Sequence, residues 1–247
     1  MLRVRVTVFL IPLLLAVSAV AQNPPTGGGR PVRVVIASSR LPSVVDAPLY
    51  FKLLRVSVPA GQTGGYTGGS SMLYVASGVV DLTVDGERRN VKEGAAAFVP
   101  AGRPAALAAG AGAASVLQFV LLPAADLDRS GHSGGAVATE LYRTPRAIPA
   151  LKPGPHEFTM TRVSVERGSP RPPMHYRAGA AFYYVLAGTW ALHEDGGKQE
   201  SRARGAVQFE PNDFVHSWQN MGEVTGVLLQ ANISPEGSPE IVFLPAR

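Results

Sequence analysis

The stretch Leu73–Gly78, with the sequence LYVASG, recurs 110 residues later as YYVLAG at Tyr183–Gly188. Two more matches keep the same order and nearly the same spacing. RVSV occurs at 55–58 and again 107 residues on, and FVP at 98–100 recurs 111 residues on as FEP. Three matched blocks in one order indicate a duplicated unit. We place the two units at residues 32–125 and 148–247, joined by a connecting segment at 126–147.

Both units consist of short runs of β-branched or aromatic residues that are separated by Gly, Pro and Asp. The run Val80–Val84 alternates apolar and polar residues, which is typical of a half-buried strand, and Asp85-Gly86 after it is a hairpin turn pair. The alanines of Ala105–Ala114 favour a helix locally, but two glycines interrupt them, so we expect strand and loop there. Many short strands with regular glycines predict an all-β fold, either a sandwich or a barrel.

The N-terminal residues have the pattern of a secretory signal peptide. Arg3 and Arg5 precede the apolar run Val8–Val17, and the small residues of Ala19–Ala21 suit a cleavage site. We therefore predict a signal peptide at 1–21, a flexible leader rich in Pro and Gly at 22–31, and a secreted or periplasmic protein with no membrane anchor after cleavage. The chain contains no cysteine, so disulfides cannot stabilise it and the fold depends on its core.

The charge of the chain argues against nucleic acid or a membrane surface as partner. Loss of Arg3 and Arg5 with the signal lowers the formal net charge from +5 to +3. The densest basic spots, Arg88-Arg89 and the pair Arg202 and Arg204, lie beside glycines and acidic residues, where we expect solvated turns. Neither spot joins stacking aromatic residues or an amphipathic helix, so no nucleic-acid interface is predicted.

The second unit carries two histidines in a spaced pattern. The marked positions are Gly168, His175, Arg177, Ala181 and Gly188, followed by Gly205, Pro211, Asp213, His216 and Asn220. This spacing resembles the two motifs of the cupin family, with His175 at the first histidine position of motif one and His216 at the histidine of motif two. Arg177 and Ala181 stand where the family has a second histidine and a glutamate. The resemblance implies two tandem cupin-type jelly-roll β-barrels with degenerate metal motifs.

The first unit keeps the spacing of the motifs but none of their ligands. Its matching positions are Gly65, Thr67, Ser71, Gly94, Pro100, Gly102 and Ala105. Only the second unit therefore carries any of the chemistry that the resemblance implies, and fold and activity must be argued separately.

Imidazole groups hold a transition metal only when further ligands converge with them. His175 and His216 are two candidate metal ligands, but strand parity places Arg177 on the face of His175, and a guanidinium repels a cation. The candidates for a third ligand, Glu210, His193 and His156, lack the expected spacing, and Pro211 leaves the parity of Glu210 open. The sequence thus allows a divalent transition metal but does not favour one.

Parity also places Tyr183 and Trp218 in the barrel interior with His175, Arg177 and His216. These five residues predict a concave pocket that suits an anionic or hydroxylated small molecule. The alternative is that they are only core side chains, with His216 hydrogen-bonded to backbone and Arg177 paired with a carboxylate.

Three functional hypotheses remain open. The first is a secreted bicupin, with little or no catalysis, that binds a small molecule in its second barrel. The second is a metal-dependent enzyme resembling the family's dioxygenases, isomerases or decarboxylases, with His175 and His216 as the surviving ligands. The third is a structural or assembly protein with filled barrels. The sequence names no substrate, and it leaves open whether the chain forms a homo-oligomer.

Overall fold

The computed structural model describes residues 29–42, 48–149, 151 and 153–245. The predicted signal peptide at 1–21 and most of the predicted leader lie outside the described residues. No helix in the described part of the chain is long and apolar enough to cross a membrane.

The described part of the chain is built from twenty strands, and its one helical element is a single 3-10 turn at Ala124–Asp126. The first ten strands are β1 (Val32–Leu41), β2 (Leu49–Val58), β3 (Thr63–Tyr66), β4 (Ser70–Ser77), β5 (Val79–Val84), β6 (Glu87–Lys92), β7 (Ala96–Val99), β8 (Ala105–Ala109), β9 (Ala114–Pro123) and β10 (His132–Gly134). The alanine-rich stretch is strand and loop, as its glycines predicted.

The remaining ten strands repeat this order. They are β11 (Val137–Arg143), β12 (His156–Val165), β13 (His175–Arg177), β14 (Ala180–Ala187), β15 (Trp190–Glu194), β16 (Gln199–Arg202), β17 (Val207–Glu210), β18 (His216–Asn220), β19 (Gly226–Pro235) and β20 (Ile241–Phe243). The matched stretches LYVASG and YYVLAG form the ends of β4 and β14, so the repeat lies in equivalent strands.

The strands form four five-stranded antiparallel sheets, two in each barrel. In the first barrel the orders are β11-β2-β9-β4-β7 and β10-β3-β8-β5-β6. In the second barrel they are β1-β12-β19-β14-β17 and β16-β15-β18-β13-β20, which is the same topology strand for strand. The fold is therefore all-β, with two tandem jelly-roll barrels, as the sequence predicted.

The second barrel takes its outermost strand from the N-terminal end of the chain, whereas the strands of the first barrel, β2–β11, are contiguous in sequence. β1 pairs along its length with β12 of the second barrel, and β11 pairs with β2 of the first. From the sequence, residues 32–41 were expected in the first unit and 126–147 as a connection. Instead, β1 belongs to the second barrel's sheet, and β10 and β11 belong to the first barrel. The repeat did not reveal this because none of its matched blocks includes these strands.

Alternation along the strands divides the apolar residues among three cores. One face of the β11-β2-β9-β4-β7 sheet lines the first barrel, whose interior is mainly apolar but also holds Lys52, Ser71 and Gln118. The opposite face packs on the second barrel's β1-β12-β19-β14-β17 sheet, and Phe51 and Phe182 stack there with ring centroids 5.7 Å apart. The third core lines the second barrel and includes Tyr183, Trp190 and Trp218. This interior holds the predicted site residues.

Candidate functional site

The two histidines of the motif lie side by side in the second barrel. β13 pairs with β18 so that His175 is directly opposite His216, and their ring centroids are 4.6 Å apart. Both side chains are buried, at 5% and 0% exposure. Each Nδ1 lies 2.9–3.0 Å from a carbonyl oxygen two residues earlier, that of Pro173 or Phe214. Because a carbonyl only accepts, each Nδ1 carries a proton, and only Nε2 can serve another group.

Arg177 makes an ion pair inside the barrel. Its Nε donates to Glu210 Oε2 at 2.9 Å, and the two side chains are 1% and 0% exposed. Nη2 hydrogen-bonds to the hydroxyl of Tyr183, whose ring lies 5.4 Å from the guanidinium carbon. The guanidinium charge is thus balanced by a carboxylate that faces the same interior. This pairing is the one that the core side-chain alternative anticipated for Arg177.

Glu210 is the site residue that sequence reasoning left undecided. Phe209 packs in the core between the barrels, so alternation along β17 turns Glu210 to the inside of the second barrel. There β17 pairs with β14 and sets Glu210 directly opposite Ala181. A carboxylate therefore enters from the neighbouring strand at the level where the cupin motif has its glutamate. The signal was present in the sequence, but Pro211 obscured the parity.

The second oxygen of Glu210 joins the histidine cluster. Oε1 accepts a hydrogen bond of 2.6 Å from Trp218 Nε1 and lies 2.8 Å from Nε2 of His216. The histidine contact is close enough for an ion pair but poorly directed for a hydrogen bond, and Nε2 has no hydrogen-bond partner among the described residues. The five predicted site residues thus come together around one carboxylate.

The ionisation of the cluster follows from this geometry. Burial alone would raise the pKa of Glu210, but the adjacent His216 and Arg177 outweigh it and hold that pKa at about 2. Burial, reinforced by Arg177 and His216, lowers the pKa of His175 to about 3, so this imidazole is neutral over the ordinary pH range. Burial also raises the pKa of Tyr183, which stays a neutral phenol.

The depressed pKa of Glu210 predicts acid sensitivity. Because the pKa in the folded chain lies below its ordinary value of 4.5, the stabilisation is complete above that pH and is lost as pH falls towards 2. A shift of this size corresponds to about 3 kcal/mol of unfolding free energy. Urea denaturation at about pH 7 and about pH 2.5 should show the stability gap between the native chain and Glu210→Gln narrowing in acid. A gap that stays constant would contradict the prediction.

The wall beside the cluster is polar. β14 and β19 pair Ala181 with Asn232 and Tyr183 with Gln230, and β12 adds Thr161 opposite Gln230. Since opposed residues point to the same face, Thr161, Gln230 and Asn232 all line the interior beside Tyr183. Ala181, with its small side chain, lies between Glu210 and Asn232 in this row of residues. The second barrel therefore has a more polar inner wall than the first, which has Gln118 in place of Gln230 but Leu54 and Val120 in place of Thr161 and Asn232.

The N-terminal strand β1 contacts this wall through Arg33. Arg33 Nη2 donates to Gln230 Oε1 at 2.8 Å, and the same oxygen accepts from the Tyr183 hydroxyl at 2.7 Å. Arg33 also pairs with Glu240 at 3.0 Å, between β1 and the segment that leads into β20. A hydrogen-bonded chain thus runs from Arg33 through Gln230 and Tyr183 to Arg177.

Five buried polar atoms on this interior have no hydrogen-bond partner in the described part of the chain. They are Thr161 Oγ1, Arg177 Nη1, His216 Nε2, Gln230 Nε2 and Asn232 Oδ1. Buried polar groups in native proteins are nearly always satisfied by protein, water or ligand. Apart from His216 Nε2, which already lies 2.8 Å from Glu210 Oε1, these atoms can take hydrogen bonds from water or from a bound molecule.

The other histidines considered as ligands lie elsewhere. Leu192 packs inside the second barrel, so alternation turns its neighbour His193 outwards. His156 shares the parity of Phe158 and Met160, which face the core between the barrels, and its Nδ1 bonds to the carbonyl of Gly154 at 2.9 Å. Neither can join His175 and His216.

The donor set does not fit a resident metal ion. Within residues 29–42, 48–149, 151 and 153–245, no group of three His, Asp or Glu side chains is arranged to hold one. The carboxylate nearest to the histidines is already shared among Arg177, Trp218 and His216. The guanidinium of Arg177 offers no lone pair and places a fixed positive charge beside the two imidazoles.

The first barrel has no comparable site. Ser71 takes the place of Ala181, and its partners across β7 and β9 are Val99 and Val120 in place of Glu210 and Asn232. A small polar group survives, in which Gln118 donates to Ser71 at 3.0 Å and its carbonyl oxygen lies 2.6 Å from Nε2 of His132. The apolar residues around this group fill the first barrel.

Two surface grooves of about 310 and 390 Å3 lie outside both interiors, where β1 passes the first barrel's β6 and β7. Their charged residues, Asp85, Glu87 and Arg89, are all exposed to solvent. Since no buried polar group faces them, they lack the features of a built binding site.

Comparison with known proteins identifies the fold. No family model matches the chain, and no curated protein does. Among solved structures, a tryptophan-to-tyrosine variant of oxalate decarboxylase from Bacillus subtilis is 15% identical, with a TM-score of 0.58, covering 90% of this chain and 77% of that one. A two-residue deletion variant of the same decarboxylase gives 14% and 0.57, and a form studied for its Mn(II) centres gives 15% and 0.55, both with the same coverage.

At this level of identity the likeness shows the architecture and not the activity. The neighbours are forms of one oxalate decarboxylase, in which Mn(II) centres have been studied, and the match spans 77% of their length. Its own sheets repeat one jelly-roll topology twice. By fold, then, the chain consists of two tandem jelly-roll barrels like those of these oxalate decarboxylase structures.

Proposed function

We propose that the protein binds a small molecule inside its second barrel, without a resident metal and with little or no catalysis. The observation that carries the proposal is the set of five unpartnered polar atoms on that interior. Three of the five belong to the wall formed by β12 and β19, and two belong to Arg177 and His216. A small molecule with several hydrogen-bonding groups would satisfy them together.

The built-in ion pair supports a metal-free site. In this barrel Arg177 supplies the positive charge opposite Glu210 that a bound cation would otherwise supply. The pair is buried and hydrogen-bonded on both sides, so a second cation beside it would face repulsion at low dielectric. A metal-dependent enzyme remains the alternative, and bound metal in the purified protein would support it.

A purely structural role accounts for the first barrel better than for the second. The first interior is filled by Val, Leu and Ala side chains, with few polar groups. A barrel that served only packing would not retain Thr161, Gln230 and Asn232 with atoms unsatisfied, because each costs about 1–3 kcal/mol when buried without a partner. The contrast between the barrels favours division into a scaffold and a binding module.

The place of action is proposed from the N-terminal sequence. The signal-like residues 1–21 imply export, so we infer that the mature protein acts in the periplasm or outside the cell. The mass of the mature protein from its native host tests this step. Nucleic acid and membrane are not among the proposed partners. A homo-oligomer is compatible with the proposal.

The proposal predicts the metal content of the purified protein. We expect Mn, Fe, Ni, Cu and Zn well below one equivalent when the protein is isolated without chelator, because Arg177 occupies the cationic position. The variant Arg177→His should gain metal, since it removes the charge and adds a ligand beside His175 and His216. Arg177→Met is the matched control that removes the charge without adding a ligand. Elemental analysis decides, and stoichiometric metal in the native protein would support the enzyme alternative instead.

A further inference from the structure

The hydrogen-bonding character of the interior can be read atom by atom. Gln230 Oε1 accepts from Arg33 and from Tyr183, and since a guanidinium only donates, this oxygen is fixed as the acceptor. Gln230 Nε2 is therefore left as a buried donor with no partner in the described residues. Arg177 uses Nε on Glu210 and Nη2 on Tyr183, so its Nη1 is a second free donor.

The neighbouring residues Asn232 and Thr161 can accept hydrogen bonds. Asn232 Nδ2 donates to Ser234 Oγ at 3.1 Å, which leaves Oδ1 as a buried acceptor without a donor in the part of the chain described. The hydroxyl of Thr161, opposite Gln230, can either donate or accept. The interior thus presents donors and acceptors within two residues of one another along β19.

A ligand that satisfies these atoms must both donate and accept. Hydroxyl groups do so, whereas an ionised carboxylate only accepts and would set its lone pairs against Asn232 Oδ1. The charges of the site also disfavour an anionic ligand, because Arg177 is already paired with Glu210 and Arg33 with Glu240. An added anion would find no unpaired guanidinium and would lie near the ionised Glu210.

We propose that the ligand of the second barrel is a small neutral polyhydroxylated compound, such as a sugar, an alditol or a cyclitol. This inference rests on the proposed binding function and narrows the anionic or hydroxylated class expected from the sequence. Arg177 and Gln230 donate to its hydroxyl oxygens, and Asn232 accepts from one of its hydroxyl hydrogens. Thr161 supplies the adaptable contact.

The test is a calorimetric and thermal-shift panel on the mature protein. The neutral probes are stereoisomeric pentoses, hexoses, alditols and inositols; the charged probes are gluconate, succinate and oxalate at equal concentration. Binding by one or more neutral probes, with a raised Tm, is the expected result. Binding by charged probes alone overturns this inference and leaves the proposed function standing. If nothing binds and a crystal structure shows only water on the five atoms, both fail.

A pair of threonine variants separates binding from folding. Thr161→Val deletes a buried hydroxyl that has no partner in the described chain, so we expect about tenfold weaker binding of the neutral probe with Tm unchanged or raised. Thr144→Val is the matched control, since that buried hydroxyl accepts from the Phe51 amide at 3.3 Å. It should lower Tm by roughly 2–4 °C and leave binding unchanged. Equal affinity for the native protein and Thr161→Val overturns the assignment of this wall.

Discussion

A chain shortened to begin at Pro42 is expected to lose the folded second barrel, although the deletion removes the residues farthest from it in sequence. β1 hydrogen-bonds along its length to β12. Without β1, the backbone of β12 becomes an open edge, Arg33 no longer holds Gln230, and Leu41 leaves the core between the barrels. The second barrel should then unfold or aggregate under conditions in which the intact chain is stable.

Tryptophan fluorescence measures this outcome directly. The chain has two tryptophans, and both Trp190 and Trp218 are buried in the second barrel. Their emission should shift to longer wavelength in the shortened chain. A chain that begins at Pro31 retains β1 and is the matched control. Native emission from the shortened chain, with a native unfolding transition, would show that the second barrel does not depend on β1.

Replacing Glu210 with Gln is expected to lower the unfolding free energy by about 3–5 kcal/mol, because Arg177 would remain charged and buried without its carboxylate. Glu236→Gln is the control. Its partner Arg40 is exposed, and we expect no measurable change there. Far-UV circular dichroism in urea is the suitable measurement, since Trp218 contacts Glu210 and its fluorescence would respond locally.

A second replacement distinguishes the effect of an unpaired buried charge from the effect of altered packing. Arg177→Met in the Glu210→Gln background removes the unpaired charge, and the double variant should recover at least half of the lost stability. If the double variant is as unstable as the sum of the two single variants, the two side chains do not act as a pair. A Glu210→Gln variant as stable as the native chain would contradict the prediction outright.

The sequence predicted the fold well because the features that specify it are local. Alternation within Val80–Val84, the Asp85-Gly86 turn and the repeated blocks all act over a few residues, and together they imply two barrels of one topology. The strand β1 was also visible as VRVVI, but its choice of partner was not. A strand pattern says which face is buried, whereas the partner depends on which sheet edge is open over 100 residues away.

The candidate site was likewise predictable only where local sequence patterns determine it. The motif spacing brought His175 and His216 together, and strand parity added Arg177, Tyr183 and Trp218. Their convergence in the second barrel follows those patterns, while ligand binding by them stays a prediction. The sequence suggested an unnamed carboxylate partner for Arg177 as one alternative. It did not identify Glu210, which lies 33 residues further on and is positioned by the register of β17 on β14.

The pairing of β1 with β12 sets an order in which the chain can be completed. As the protein is synthesised from its N-terminus, β1 appears first but must wait for β12, which ends at Val165, before its backbone is paired. Until then the valine-rich Val32–Ile36 segment has no sheet to join and can pair with neighbouring chains. The first barrel likewise stays one strand short until β11 emerges. The first barrel, whose strands β2–β11 are contiguous in sequence, can therefore be completed before the second, which needs both β1 and β12–β20. Until the second barrel forms, the chain depends on whatever shields its earliest strand.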